Sequence, residues 1–389
     1  MKTNILYVFG GEKAQGAEVV ITRLMDYNTE HVSPHLFISP GDFAQKLQQA
    51  NKPYPINCIP SLKKLNRSNT SLFKFALTAL KNYLSVSYKA YQYIKRNKIQ
   101  VVHSNTTIPS SYLIPLILYS KLFFKPTLFV WSDHDLSYFS KFDFGLAKLC
   151  VKLFNRTLVV SKAVQQKYPA NEKIKVLYNG LDPRAFKADA IKRNAFRSRL
   201  NLSDDQMVIG MPAVITPRKG QLELIRVFEE MCKQFTNIRL VFAGGYEDAT
   251  PEYTVLVNAA VAGNDKVIHM GYADDMIAFY NGCDIIVNNS NRAGNEPLGT
   301  TMYEAMACEK IVVAADTGGT REIISDNVDG FLFKAENPND LQQKLTYVLN
   351  HYAELKPIRT AAIDKVNNKF SIFSMAKTYN SILESIKSN

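Results

Sequence analysis

The sequence predicts an α/β protein of two domains, each built on a parallel sheet. Short, branched apolar runs recur along the chain, and each ends in glycine or polar residues before a stretch of helical character. The order strand, Gly-rich turn, helix occurs twice in close succession. Residues 283–289 lead through Pro297 and Gly299 into a helix from Thr300, and residues 311–315 lead through Asp316-Thr317-Gly318-Gly319 into another. A chain of 389 residues also exceeds the size at which one hydrophobic core usually keeps growing.

Residues 5–9 are an apolar strand ending in Gly10-Gly11, and residues 17–24 have helical character beyond Gly16. The glycines are not spaced as in the dinucleotide fingerprint, so a tight turn and a phosphate loop both fit them. Residues 36–39 read as a second strand. Residues 72–98 predict a long helix with apolar positions Leu72, Phe75, Ala76, Leu80 and Leu84. Residues 101–103 are the next strand, where His103 packs or hydrogen-bonds rather than doing chemistry. Residues 112–131 are too broken by Pro115, Lys121, Lys125 and Pro126 to span a membrane, and read as a buried helix followed by a strand from Thr127.

That strand ends in Ser132-Asp133-His134-Asp135, at the kind of strand end where α/β sites form. Taken alone, a His-Asp pair is more often structural. Strands follow at residues 157–161 and 175–178, and Asn179-Gly180-Leu181-Asp182-Pro183 is a turn that closes the first domain near Asp182. Residues 183–205 read as a polar linker with a short helix. The second domain opens with a strand at residues 207–215, the loop Thr216-Pro217-Arg218-Lys219-Gly220, and a helix over residues 221–235. Strands at residues 238–243 and 267–272 end in Gly244-Gly245 and Gly271-Tyr272, and residues 340–350 are helical. The last stretch places Phe373, Met375, Tyr379, Ile382, Leu383 and Ile386 on one apolar face.

The turn at Gly299 has the chemistry of an anion site. A helix start carries unpaired N–H groups and partial positive charge, and a preceding glycine lets a phosphate approach the backbone. Glu296 and Glu304 flank the spot, and carboxylates there suit sugar hydroxyls rather than phosphate. Phosphate flanked by hydroxyls describes a nucleotide-sugar. Read singly, Glu296 fits a surface residue and Glu304 a helix-start acid. Arg218 and Lys219 would neutralise a diphosphate, or else form a solvated pair beside a turn.

The string as a whole says more. Glu296-Pro297-Leu298-Gly299, then Glu304-Ala305-Met306-Ala307 with seven residues between the glutamates, then Gly318-Gly319 and Glu322, resembles the donor-binding signature of retaining glycosyltransferases of family 4. The resemblance covers nearly the whole chain, most firmly from Arg218 to Glu322. It implies the GT-B arrangement, two Rossmann-like domains facing across a cleft. Residues 1–182 would bind the acceptor, residues 183–369 the nucleotide-sugar, and the helix within 370–389 would cross back to the first domain. In the family the Gly10, Gly11 and Gly16 loop faces donor phosphate and acceptor. The histidine matching His134 reaches the transferred sugar, with Asp135 as its orienting or backbone-capping neighbour. Gly244 and Tyr272 fall where the nucleotide and its base are held. Gly299, Thr300, Thr301 and Glu304 fall on the diphosphate and ribose, and Glu296 on the donor sugar. The chain departs from the pattern at Val214, where family members commonly carry an arginine. Either Arg218 substitutes for it or phosphate binding is weaker.

No bound cofactor and no metal are expected, because helix dipole and cations supply positive charge and no Asp-x-Asp triplet of the type that chelates a metal at a diphosphate is read. The five cysteines are scattered and fit neither a disulfide framework nor a zinc pattern, which suits a reduced cytoplasmic compartment. No signal peptide is read in the opening residues. The net charge of +12 is concentrated: residues 43–132 hold 13 of the 47 Lys and Arg and no acid, leaving 34 cations against 35 acids elsewhere. With Phe73, Phe75, Tyr83, Tyr88, Tyr91 and Tyr93 interleaved, this block suggests docking on an anionic membrane and a lipid-linked acceptor, or else a soluble basic face. Nucleic-acid binding has no recognition motif to support it. A binding-only relative and a phosphorylase or epimerase of the same architecture are the other readings.

Overall fold

The computed structural model describes residues 2–12, 16–63, 65, 71–123, 127–137, 140–294 and 296–387. Two compact units result, Met1–Gly180 with Ile372–Asn389, and Leu181–Ser371.

The first unit is a seven-stranded sheet made of β1 (Thr3–Phe9), β2 (Val32–Ile38), β3 (Ile56–Cys58), β4 (Val101–Asn105), β5 (Leu128–Asp133), β6 (Arg156–Val159) and β7 (Ile174–Val176). All neighbours are parallel, in the order β3-β2-β1-β4-β5-β6-β7. Ile5 to Phe9 are wholly buried, as expected of a strand covered on both faces. The strand order reverses between β1 and β4, which makes that the switch point of a doubly wound sheet.

Helix Ile372–Lys387 belongs to this unit. Met375, Tyr379, Ile382, Leu383 and Ile386 enter its core, and Asn380 pairs with Asn28 at 2.7 Å. His103, buried on β4, meets Tyr379 Oη through Nδ1 at 2.9 Å and Ser132 Oγ through Nε2 at 2.7 Å. Phe370 is not part of the helix: it stays in the second unit, stacked on Tyr303 with ring centroids 5.1 Å apart.

Two helices present faces other than those expected. Helix Leu72–Asn97 buries Val86, Ser87, Ala90 and Ile94, while Leu72, Leu80 and Leu84 are exposed. Small residues decide this, because Ser87 and Ala90 allow close approach. Ser87 Oγ donates to the Tyr112 carbonyl at 2.9 Å and accepts from Leu116 N–H at 3.1 Å. Helix Ile114–Phe123, expected to be buried, is buried on one side only; Leu118, Tyr119, Leu122 and Phe123 are exposed.

The second unit holds β8 (Met207–Pro212), β9 (Ile238–Ala243), β10 (Val267–His269), β11 (Ile285–Asn288), β12 (Ile311–Ala315) and β13 (Phe331–Phe333), all parallel in the order β10-β9-β8-β11-β12-β13. Its own ends close it, Leu181 forming a parallel bridge with Ser371. The reversal falls between β8 and β11. Loops leaving these two strands therefore converge at one edge, and they carry Arg218 and Lys219 from β8, and Glu296 and Gly299 from β11.

Candidate active site

Three loops of the second unit are tied together at that edge. After β8, Thr216 leads into a single 3-10 turn, Pro217–Lys219, that ends at Gly220 with φ 71°. A side chain on Gly220 would run into Asn289, whose amide donates to the Gly220 carbonyl at 2.7 Å. The chain after β11 is pinned to the same turn, since Asn291 N–H donates to the Arg218 carbonyl at 3.0 Å. Beyond β12, Gly319 N–H donates to the Glu296 carbonyl at 2.8 Å, which couples the two Gly-rich turns.

These backbone ties bring Lys219, Ser290 and Glu296 into one cluster. Lys219 Nζ lies 2.6 Å from Glu296 Oε2 and 3.0 Å from Ser290 Oγ, and Ser290 Oγ lies 3.2 Å from the same Glu296 oxygen. The side chains of Lys219 and Glu296 are 17% and 13% exposed, so the pair is shielded without being sealed. Arg218 turns to Glu247 at 3.2 Å, and Glu247 also accepts from the Thr216 hydroxyl. Arg218 is thus a half-exposed cation in an acidic contact.

Helix Thr300–Ala307 begins directly after Gly299. A Cβ on Gly299 would meet Met302 Cε at 2.4 Å and Glu296 Cγ at 3.1 Å, so a side chain there would displace the methionine end and crowd Glu296. Thr300 and Thr301 are partly exposed at the helix start, where N–H groups lack intrahelical acceptors. Glu304 lies one turn further and is buried; its Oε2 accepts from Tyr280 Oη at 2.8 Å. Burial and the adjoining Glu304 carboxylate push the Tyr280 phenol far above its ordinary pKa, so it is a permanent donor.

Gly244 has φ 153°, and a Cβ there would lie 2.1 Å from the Ala213 carbonyl oxygen. This glycine therefore lets the β9 loop pass against the β8 loop. Its carbonyl accepts from His269 Nε2 at 2.9 Å, and His269 Nδ1 is 3.0 Å from Tyr246 Oη. Tyr272 stands on the surface, 78% exposed.

In the first unit, His134 sits just past β5. Its Nε2 is 2.7 Å from Asn105 Oδ1, at the end of β4. The amide oxygen accepts, so Nε2 carries the proton and Nδ1 the lone pair. Burial pulls the imidazole pKa down to about 4, so the ring is neutral at pH 7. Asp135, expected to orient the ring or cap the backbone, is exposed and donates its own N–H to Asp133 Oδ1. Asn105 holds the ring instead. Asp133-His134-Asp135 does have Asp-x-Asp spacing, but the buried Asp133 carboxylate is taken by Lys167 Nζ at 2.6 Å and by the Tyr168 hydroxyl. Gly10 packs on Pro109, where a Cβ would come within 2.5 Å of Cγ, and Gly16 opens helix Gly16–Tyr27. Gly11 precedes residues 13–15 of the same loop, which lie outside the described residues.

Two family models match the chain, Glycosyltransferase Family 4 over residues 14–185 and Glycosyl transferases group 1 over residues 192–365. The chain belongs to these glycosyltransferases. An uncharacterized glycosyltransferase of Methanocaldococcus jannaschii is 27% identical over 231 residues, 57% of this chain and 58% of that protein. The lipopolysaccharide 1,2-N-acetylglucosaminetransferase of Salmonella typhimurium is 31% identical over 159 residues, 38% of this chain and 41% of its own. The aligned parts thus span little more than half of these relatives at most. Anabaena HepE, solved in complex with UDP, superposes with a TM-score of 0.82 at 20% identity, covering 99% of this chain and 100% of that one. At that identity the likeness is one of fold.

Sequence reading of this glycosyltransferase missed Ser290, Tyr280, Glu247 and Asn105. Ser290 had a signal, since it follows the polar end of β11 directly. Tyr280, Glu247 and Asn105 had none, because they reach the site residues from other strands and helices.

Proposed function

We propose that the protein is a retaining, metal-independent glycosyltransferase that moves a hexose-type sugar from a nucleotide-diphosphate sugar to a glycan or lipid-linked acceptor in cell-surface polysaccharide or glycolipid synthesis. The observation that carries this reading is the convergence, at the switch point of the second unit, of the Gly299 helix start with Lys219, Ser290 and Glu296. Cations and helix-start amides supply the charge that a departing diphosphate needs. UDP in the HepE structure and the sugar-transferring Salmonella relative support the donor class.

In this mechanism the bond from anomeric carbon to diphosphate oxygen breaks, and an acceptor hydroxyl forms the new bond on the same face. The hydroxyl proton goes to the departing phosphate oxygen. Amides of Thr300 and Thr301, with Arg218 and Lys219, hold the diphosphate. Glu304, fixed by Tyr280, accepts from ribose hydroxyls. Glu296 accepts from the donor sugar, and a role for His134 toward that sugar, as a neutral ring, is carried over from the family resemblance. Gly244 and Tyr272 would serve the nucleoside, and the resemblance gives Gly10, Gly11 and Gly16 to the acceptor.

Thermal-shift screening against UDP-, GDP- and ADP-sugars, followed by donor hydrolysis and transfer assays, tests this. A stabilising donor that is hydrolysed or transferred supports it. A Glu304→Ala variant is expected to keep the fold and lose most turnover, and wild-type rates would remove the donor-site assignment. Stabilisation without turnover would favour a binding protein of the same fold.

A further inference from the structure

Most of the exposed large apolar side chains among the described residues of the first unit are gathered on one pair of helices. On helix Leu72–Asn97, Phe73, Leu77, Leu80, Leu84 and Tyr88 are 55–79% exposed. At about 100° per residue they fall within roughly a quarter of the circumference, beside the face that is buried on the sheet. Helix Ile114–Phe123 packs alongside, with Tyr91 and Tyr119 in edge contact at 5.4 Å. It adds Leu118, Tyr119, Leu122 and Phe123, again exposed.

Cations border this apolar ground. Lys74, Lys81, Lys89 and Arg96 are exposed on the next sector of the first helix, and Lys121 on the second. Neither helix contains an acid. The block is less uniform than its composition suggested, because Lys52 and Lys63 are paired with Asp26 and Glu12 from outside it. Lys64, Arg67 and Lys125 lie outside the described residues. The cations of the two helices carry the argument alone.

We propose that this face seats on an anionic phospholipid bilayer, its leucines and aromatics at the headgroup–acyl boundary and its lysines among the headgroups. Three sectors on one helix, one packed on the protein, one apolar and exposed, and one basic, suit a surface that is apolar below and anionic above. A protein partner fits less well, since interface cores are depleted in lysine. A phosphate backbone would leave the leucine strip unused. No helix among the described residues is long and apolar enough to cross a membrane, so the attachment is peripheral. The inference stands apart from the donor-site reading.

The test is co-sedimentation of the full chain with phosphatidylcholine vesicles, with and without phosphatidylglycerol, at low and high salt. Two variants accompany it, Phe73→Ser with Leu77→Ser and Leu84→Ser, and Lys74→Glu with Lys81→Glu and Lys89→Glu. These side chains are exposed, so thermal midpoints are expected to hold. Binding should require phosphatidylglycerol and fall with salt. The charge variant should weaken partition on the order of a hundredfold, and the apolar variant by at least about tenfold. Equal binding to both vesicle types, binding to neither, or binding that survives both variants overturns the proposal. So does a dimer that the apolar variant dissolves, which would make the face a contact between copies. Nucleotide-sugar thermal shifts measured on the same variants keep a failed donor site distinguishable from a failed membrane face.

Discussion

Lys219 Nζ and Glu296 Oε2 lie 2.6 Å apart, joining the loop after β8 to the loop after β11. Each had a separate expected partner, the diphosphate for the lysine and the sugar hydroxyls for the glutamate. In the structure they pair with one another, with Ser290 as a shared hydrogen-bond partner. A lysine has three donors and a carboxylate several acceptor positions, so the pair can persist while each also takes ligand. Its role would be to fix two loops at the spacing the donor requires.

Lys219→Ala should therefore act on two quantities. Turnover should fall roughly 10²–10³-fold, as when one preorganised charge-stabilising donor is lost. Stability should fall on the order of 1–3 kcal/mol, between the exposed and fully buried cases. Adding Glu296→Gln should recover part of the stability and none of the turnover. Urea midpoints and initial rates on the single and double variants measure both.

The two site glycines should respond to alanine to very different degrees. At Gly244 a Cβ would meet the Ala213 carbonyl oxygen at 2.1 Å, and φ is positive, so Gly244→Ala should destabilise the second unit severely. At Gly299 φ is −69°, which alanine adopts readily, and the nearest atom is the end of a flexible methionine. Gly299→Ala should fold with a small loss of stability yet weaken nucleotide-sugar binding, because the methyl crowds the helix start and Glu296. Thermal melts and donor titration would separate them; equal thermal loss in both would contradict this packing account.

Stability of the first unit should depend on pH through His103. Burial holds its folded pKa at about 3, below the ordinary value of 6.5. The unfolded chain then binds more protons than the folded one between those values. The contribution is fully present above about pH 6.5 and is lost as pH falls toward 3. At pH 5 the loss is about 2 kcal/mol from this residue. Urea midpoints at pH 7.5 and 5 should show it, and His103→Gln should reduce the difference by about that amount, leaving the share of His134, whose folded pKa is also depressed.

Thiol labelling offers a check on the fold. Cys150, Cys283 and Cys308 are buried, and burial pushes the Cys150 and Cys308 thiols up to about 12 and Cys283 higher still. Cys58 is exposed and Cys232 partly so. A thiol reagent at pH 7.5 should modify Cys58 first and leave the three buried cysteines until denaturant is added. Early modification of Cys283, which lies against the Gly210 position of β8, would refute the packing of that sheet.

Much was determined by sequence alone. Branched apolar runs with polar ends set the strands, because a strand covered on both faces must be apolar along its length. The Glu296 to Glu322 string located the turn, the helix start and its carboxylates, because local backbone geometry demands glycine and proline at fixed spacing. Tertiary structure alone decided the partners. Lys219 finds Glu296 and His134 finds Asn105 because parallel strands bring the ends of distant segments to one edge, and no local pattern encodes that meeting. It also decided which face of helix Leu72–Asn97 is buried, since Ser87 and Ala90 fit closely against their neighbours where the larger leucines do not.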